Sequence, residues 1–350
     1  MTGSEAHDHT NPQARPRPTM ADIAAHVGVS RQLVSLVMRG QPGASPSTRQ
    51  KIVAAAKELE YHPDGAARLL RRTRSGLLGV LFTGQHPFEL ALVENMYPAV
   101  AESGYAITLG TIAPTHEVAE ALDEMLSSRI EALILVGPQL PPQRLTSLAA
   151  QMPIVEVGRH RGTTGIDAVY SDGEAGMRLA VDHLVGLGHR RIAHVDGGTM
   201  PGAADRRRGY IDAMTAQGRA AEIQIIDGDY SEMSGYSAAQ QILEWSRRPT
   251  AVIAANDRCA LGVLGTLVRA GISVPGEISV IGYDDDRTSR LPFVDLTTVR
   301  QDAAEIAQRA VGAVVERLAG QRTDTVEIVV SPALCVRGST GPVPGVGPES

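Results

Sequence analysis

At 350 residues, with 43% hydrophobic and 3% aromatic residues, the chain is long enough for two or three folding units built on aliphatic cores. Its formal charge of −6 hides a split: residues 1–75 hold 11 Lys and Arg against 6 Asp and Glu, which is +5 and leaves the remainder at −11. A basic head on an acidic body suits one small module that meets phosphates, and argues against nucleic acid wrapped around the rest.

In chain order, residues 1–17 lack an apolar signal core and read as a disordered lead-in to a head at 18–63. Within Met20–Gly40, Ala24, Gly28 and Val34 supply a small residue where two helices cross, a glycine for the turn and an apolar anchor on the second helix. That spacing is the one a helix-turn-helix needs. The second helix is expected from about Ser30 to Arg39, burying Leu33, Val34 and Val37. Its outward face then carries Arg31, Gln32, Ser35, Leu36 and Arg39, a surface that fits a DNA major groove. A third helix opens at Pro46-Ser47-Thr48, with Ser or Thr as its cap and Ile52, Val53, Ala56 and Leu59 as its apolar stripe. Tyr61-His62-Pro63-Asp64 breaks the chain, and residues 64–75 are expected to form a short basic hinge helix and linker.

From residue 76 to 338, strand-like runs alternate with helix-length segments. Strands are expected at Leu77–Phe82, Ala106–Leu109, Ala132–Val136, Pro153–Val157, Ile192–Val195, Ile223–Ile226, Ala251–Ala255 and Ile278–Tyr283, with helices such as Gly173–Leu187 and Asp257–Ala270 between them. The alternation implies α/β architecture with parallel sheets, and so many units imply two lobes with a ligand cleft between them. Cys259 and Cys335 lack metal-ligand spacing and read as buried thiols of a reducing compartment. No run of about 18 apolar residues exists, so no membrane span is expected and the location is read as cytoplasmic. Residues 339–350 read as a disordered tail.

Two stretches resemble one family. Pro18 to Leu81 is similar to the DNA-binding head and hinge of the LacI/GalR family of bacterial transcription regulators. In the body, Asp172 and Gly176, Val181–Ile192, Arg206 with Gly209-Tyr210, Gly228-Asp229-Tyr230, Asn256-Asp257, Val280–Asp285, Leu296–Val299 and Gln301-Asp302 follow that family's pattern in order. The resemblance implies an all-α helix-turn-helix DNA-binding head plus an α/β two-lobed, periplasmic-binding-protein-like effector domain. It divides the latter into lobe 1 (about 76–171 and 302–330) and lobe 2 (about 172–301 and 331–338). The function expected is a repressor whose affinity for near-palindromic operator DNA is switched by a small molecule, a sugar or related metabolite, bound to a homodimer or tetramer.

On the DNA side, Arg31 and Gln32 are the candidates for base readout, since arginine pairs with guanine O6 and N7 and glutamine with adenine N6 and N7. The family uses these two positions for base discrimination. Leu36 stands where the family usually has arginine; it either packs on a thymine methyl or makes an apolar contact within the head. Ser30, Ser35 and Thr48 are candidate phosphate contacts. In the hinge, Leu70 matches the family's minor-groove leucine, and Ala67 is small enough for two hinge helices to approach.

On the effector side, the resemblance points to Arg206, Asn256 and Asp284, whose guanidinium, amide and carboxylate suit adjacent hydroxyls or a purine edge. Tyr230 and Phe88 either wall the cleft or pack in a core; Asp172 and Gln301 complete the set. Asp205, Arg207 and Arg208 read as exposed neighbours of Arg206, and Asp285 and Asp286 as solvated or helix-capping. Gly158 replaces an acidic residue common in the family, which removes one ligand acceptor. His183 and His189 read as packing or capping groups. No catalytic constellation, metal set or cofactor motif occurs, so neither an enzyme nor a cofactor is expected. The alternative is a freestanding sugar-binding transport protein, which shares the body and needs no DNA head.

Overall fold

The computed structural model describes residues 18–61, 74–137, 140–158 and 165–343. The chain divides after Arg74 into two compact units. The first contains α1 (Met20–Val27), α2 (Arg31–Met38) and α3 (Pro46–Glu58). Thr19 caps α1 through a reciprocal box with Asp22, and α1 ends at Gly28 with φ of 73°, a left-handed turn that glycine enters without strain. Ser30 caps α2 by accepting from the Leu33 amide at 3.2 Å. Ile23, Ala24, Val34, Val37, Ile52, Ala55 and Ala56 form the core. Two details differ from the sequence reading. Ser45, not Ser47 or Thr48, caps α3. Val53 is 53% exposed while Ala55 takes the inward position, because α3 is rotated to place Ala55 and Ala56 against its neighbours.

The second unit holds two six-stranded sheets. Lobe 1 runs through β1 (Leu77–Phe82), α4 (Pro87–Val100), β2 (Ala106–Thr111), α5 (Val118–Ser127), β3 (Ala132–Val136), α6 (Pro142–Ala149), β4 (Ile154–Val157) and β5 (Asp167–Ser171). Late in the chain, α11 (Ala303–Leu318) and β11 (Glu327–Val330) complete it. Lobe 2 comprises α7 (Gly173–Gly186), β6 (Ile192–Val195), α8 (Ala203–Ala216), β7 (Gln224–Ile226), α9 (Glu232–Glu244), β8 (Ala251–Ala254), α10 (Asp257–Arg269), β9 (Ser279–Asp284), β10 (Thr297–Arg300) and β12 (Ala333–Cys335). The strand orders are β11-β5-β4-β3-β1-β2 and β12-β10-β9-β8-β6-β7, parallel except where β12 pairs with β10.

Each sheet is covered on both faces, which is why its central strands are apolar runs and not alternating ones. In lobe 1, α4 and α11 bury Met96, Val311 and Val314 against one face, while Leu122 of α5 and Leu145 of α6 cover the other. In lobe 2, α9 and α10 contribute Ile242, Val263 and Leu267 to one face, and α7 and α8 contribute Met177, Tyr210 and Met214 to the other. The chain passes between lobes three times, after β5, after β10 and after β11.

The expected tail does not begin at 339. Ser339 is buried and accepts at its carbonyl from the Val280 amide, Gly341 accepts from or donates to His189 and Ser279, and the Val343 amide donates to Leu187. Residues 339–343 are thus laid along lobe 2. His183 and His189 hold this segment through Thr340 and Gly341 at 3.0 Å each.

Candidate functional site

Arg31 and Gln32 occupy the first turn of α2 and are exposed, so both side chains are presented outward by a helix whose opposite face is buried. Ser35 and Leu36 follow and are half-buried. Leu36 lies so close to Gly43 that a Cβ added there would stand 3.2 Å from its Cδ1. The apolar contact within the head is therefore present, and it leaves part of the leucine facing outward. Ser30 uses its hydroxyl oxygen as a cap and retains its O–H for an outside acceptor.

At the start of α3, Thr48 is joined by two hydroxyls that were not among the candidate phosphate contacts. Ser45 Oγ lies 2.8 Å from Thr48 Oγ1 and 3.1 Å from Ser47 Oγ. Three hydroxyls at a helix N-terminus suit a phosphate oxygen. Ala67 and Leu70 lie outside the described residues.

In the second unit, the candidate effector residues collect one step beyond the carboxyl ends of the lobe 2 strands. Asp284 ends β9, Gln301 follows β10, and Asn256 follows β8. Arg206 reaches them from α8: its Nη2 lies 3.6 Å from Asp284 Oδ1 and its Nη1 donates to the Ala255 carbonyl. Gln301 Nε2 donates to Asp284 Oδ1 at 2.7 Å. Two tyrosine rings flank the guanidinium, with centroids 5.2 Å (Tyr230) and 3.7 Å (Tyr283) from Arg206 Cζ. Burial pushes the Asp284 carboxyl up to about 6, against the opposing pull of Arg206 and Gln301. Asp284 also has φ of 116° and Tyr230 has φ of 69°, both left-handed values for residues with side chains.

The remaining candidates take other work. Asn256 is 1% exposed and caps α10, its Oδ1 accepting from the Cys259 amide at 2.8 Å. Asp172 caps α7 in the same way through Ala175. Phe88 is half-buried against the lobe 1 core. His86, two residues earlier, fills the position by the cleft: its ring meets the Tyr230 ring edge-on at 6.0 Å. His86 was not among the candidates read from sequence. Asp257 was also missed as a site group. It is buried, accepts from Thr298 Oγ1 at 2.6 Å and the Asp286 amide at 2.8 Å, and its pKa is raised well above the usual value by burial and by Asp284.

Asp285 is neither solvated nor capping. It is 6% exposed and pairs with Arg290 and Arg337, the latter 52 residues away in sequence. Arg207 is likewise more than an exposed neighbour, since it is paired with the buried Asp196. Gly158 directly follows β4, with φ of 85° and open space where a side chain would project. A separate cavity of about 780 Å³ between α5 and α6 is lined mainly by Ile112, Val118, Leu122 and Leu140. Its charge pair, Arg144 with Asp123, is exposed.

Comparison with known proteins places this geometry. Residues 19–64 match a family described as bacterial regulatory proteins, lacI family, and residues 181–340 match a periplasmic binding protein-like domain. The transcriptional repressor PurR of Erwinia tasmaniensis is 31% identical over 334 residues, covering 93% of this chain and 98% of that protein. The chain belongs to the LacI family. A LacI transcriptional regulator from a Rhodococcus species is similar in structure, with 44% identity and a TM-score of 0.74 over 76% of this chain and 99% of that one. The lac repressor dimer bound to operator and the anti-inducer ONPF has 29% identity and a TM-score of 0.78, covering 93% and 100%. A LacI-family head at 19–64 decides against a freestanding transport protein and makes the chain a DNA-binding transcription regulator. Among the described residues no helix is long and apolar enough to cross a membrane.

Proposed function

We propose that this LacI-family regulator is a cytoplasmic, non-enzymatic repressor that binds near-palindromic operator DNA as a homodimer. Its operator affinity changes when a small polyhydroxylated effector, a sugar or related metabolite, occupies the cleft between the lobes. Arg31 and Gln32 read bases, Leu36 adds an apolar base contact, and Ser30, Ser35 and Thr48 hold phosphates. Residues 64–75, with Ala67 and Leu70, act as the hinge in the minor groove.

The observation that carries the effector side is the buried Arg206–Asp284–Gln301 cluster at the carboxyl ends of the lobe 2 strands. It combines a five-donor fork with a carboxylate acceptor, a set that pairs with adjacent hydroxyl groups. A ligand that binds one lobe arrangement better than another shifts the population by that difference in affinity, and the head follows. The test is thermal unfolding of the full chain against a panel of sugars, sugar phosphates, nucleosides and purines. A cognate compound at 100 times its Kd adds about 2.7 kcal/mol of stability. That shift is expected in the wild type and absent in Arg206→Ala. A compound that stabilises both proteins equally would place its site elsewhere, and a panel without a selective member would overturn the polyhydroxylated class.

A further inference from the structure

Among the described residues, contacts away from the inter-lobe crossings that join lobe 1 to lobe 2 include three that differ in kind. Arg287 and Glu94 form an ion pair at 2.5 Å, but their side chains are 87% and 56% exposed. Such pairs contribute little because water and salt screen them. His86 meets Tyr230 ring to ring. The third contact is Arg258, in the first turn of α10, whose side chain is 26% exposed. Its Nε and Nη2 donate to the two carboxylate oxygens of Glu232 at 2.8 and 2.6 Å, a bidentate fork within lobe 2. That fork fixes the plane of the guanidinium, and the remaining Nη1 donates to the backbone carbonyl of Gln85 in lobe 1 at 2.8 Å.

The acceptor is held as firmly as the donor. Gln85 belongs to the turn between β1 and α4, and Glu89 anchors that turn: its Oε2 accepts from the Thr83 amide (3.1 Å), the Thr83 hydroxyl and the Gly84 amide (3.2 Å). Glu89 is 7% exposed. On the other side, α9 and α10 cross so closely that a Cβ on Gly262 would meet the Glu232 carbonyl at 2.0 Å, which keeps Glu232 beside Arg258. Sheet order gives the contact its leverage. The three crossings between lobes lie beside β5, β10, β11 and β12, at one end of each sheet, whereas β1, β8 and the starts of α9 and α10 lie toward the other.

We propose that Arg258, preset by Glu232 and closing on the Gln85 carbonyl, is the latch that holds the cleft shut on the side away from the inter-lobe crossings. This regulatory role rests on the cleft being the effector site. Arg258 touches none of Arg206, Asp284 or Gln301, so it governs how long the cleft stays closed and not which ligand fits it.

Lobe separation is read directly by spin-label distances in the full chain, with labels at Thr115→Cys and Asp227→Cys beyond the edge strands β2 and β7, in a Cys335→Ser background. In the absence of any small molecule, Arg258→Ala is expected to shift the distance distribution to longer values, and Glu232→Gln to do so by less. Gln85→Ala is expected to leave it unchanged, because the acceptor is main chain. Thermal midpoints and far-UV spectra identify any variant that has lost its fold, and Glu232→Gln keeps the test open if Arg258→Ala is such a case. Distributions for Arg258→Ala and Glu232→Gln that both coincide with wild type would overturn the latch while leaving the effector reading intact. A shift produced by Arg287→Ala and not by Arg258→Ala would assign the closure to the exposed pair instead.

Discussion

Arg31 and Arg206 are the same residue type put to opposite uses by their surroundings. Arg31 is exposed on the first turn of α2, with its donors facing outward. Arg206 is buried between two tyrosine rings, with its donors turned to Asp284 and a backbone carbonyl. If Arg31 forks onto one guanine, Arg31→Ala removes discrimination worth about 1–3 kcal/mol at a single base pair and leaves the others unchanged. A binding profile over all single-base variants of a selected operator checks this, and a uniform loss at every position would make Arg31 a phosphate contact. The first turn of α2 could be read from sequence because period 3.6 separates its two faces. Asp285 could not, because its partner Arg337 is brought to it only by the pairing of β10 with β12.

At the scale of elements, strands buried on both faces, such as β1, β3 and β8, were legible in sequence as unbroken apolar runs, and the edge strands β2 and β7 as short β-rich runs between helix-length segments. Those not singled out are β5, β10, β11 and β12. Asp167 opens β5 and is fully buried, paired with Arg322 at 2.7 Å from beyond α11, so it reads as a loop until the fold supplies its partner. β10 begins with Thr297 and Thr298, both buried and hydrogen-bonded, and β11 and β12 are edge strands. Helix crossings were also hidden. Gly235 and Gly262 let α9 and α10 touch backbone to backbone, with added Cβ atoms meeting the carbonyls of Cys259 and Glu232 at 2.0 Å. Overpacking of that kind costs about 1–3 kcal/mol, and main chain yields less readily than a side-chain tip. Gly262→Ala is therefore expected to lower the thermal midpoint by several degrees, whereas Gly265→Ala, which has open space at its Cβ, should not. Equal midpoints for the two variants would contradict the close crossing.

Across the whole molecule, each lobe is discontinuous in sequence. One face of lobe 1 is covered by α4 together with Ile306, Ala310, Val311 and Val314 of α11, the latter more than 130 residues after β5. A fragment ending at Ser171 would hold five of the six strands of that sheet and leave uncovered the part of this face that α11 occupies. Exposed apolar patches of this size drive association. The fragment 75–171 is expected to bind a hydrophobic dye and to aggregate, while 75–350 stays dispersed. A well-behaved, cooperatively melting 75–171 would show that α11 and β11 are dispensable to the lobe.

The same discontinuity sets an order of events on the ribosome. The three helices of the head are complete within the first 61 residues, and all of their core partners lie within that stretch. β11, β12 and residues 339–343 are made last, and both sheets wait for them. At roughly 5–20 residues per second, this gap lasts on the order of tens of seconds. Each nascent chain therefore carries a folded head well before the body that would hold the proposed effector is complete. A ribosome that stalls, or a message that ends early, would release a reader with no sensor. A lone head reads only half of a two-fold site, and this keeps such fragments from acting as unregulated repressors.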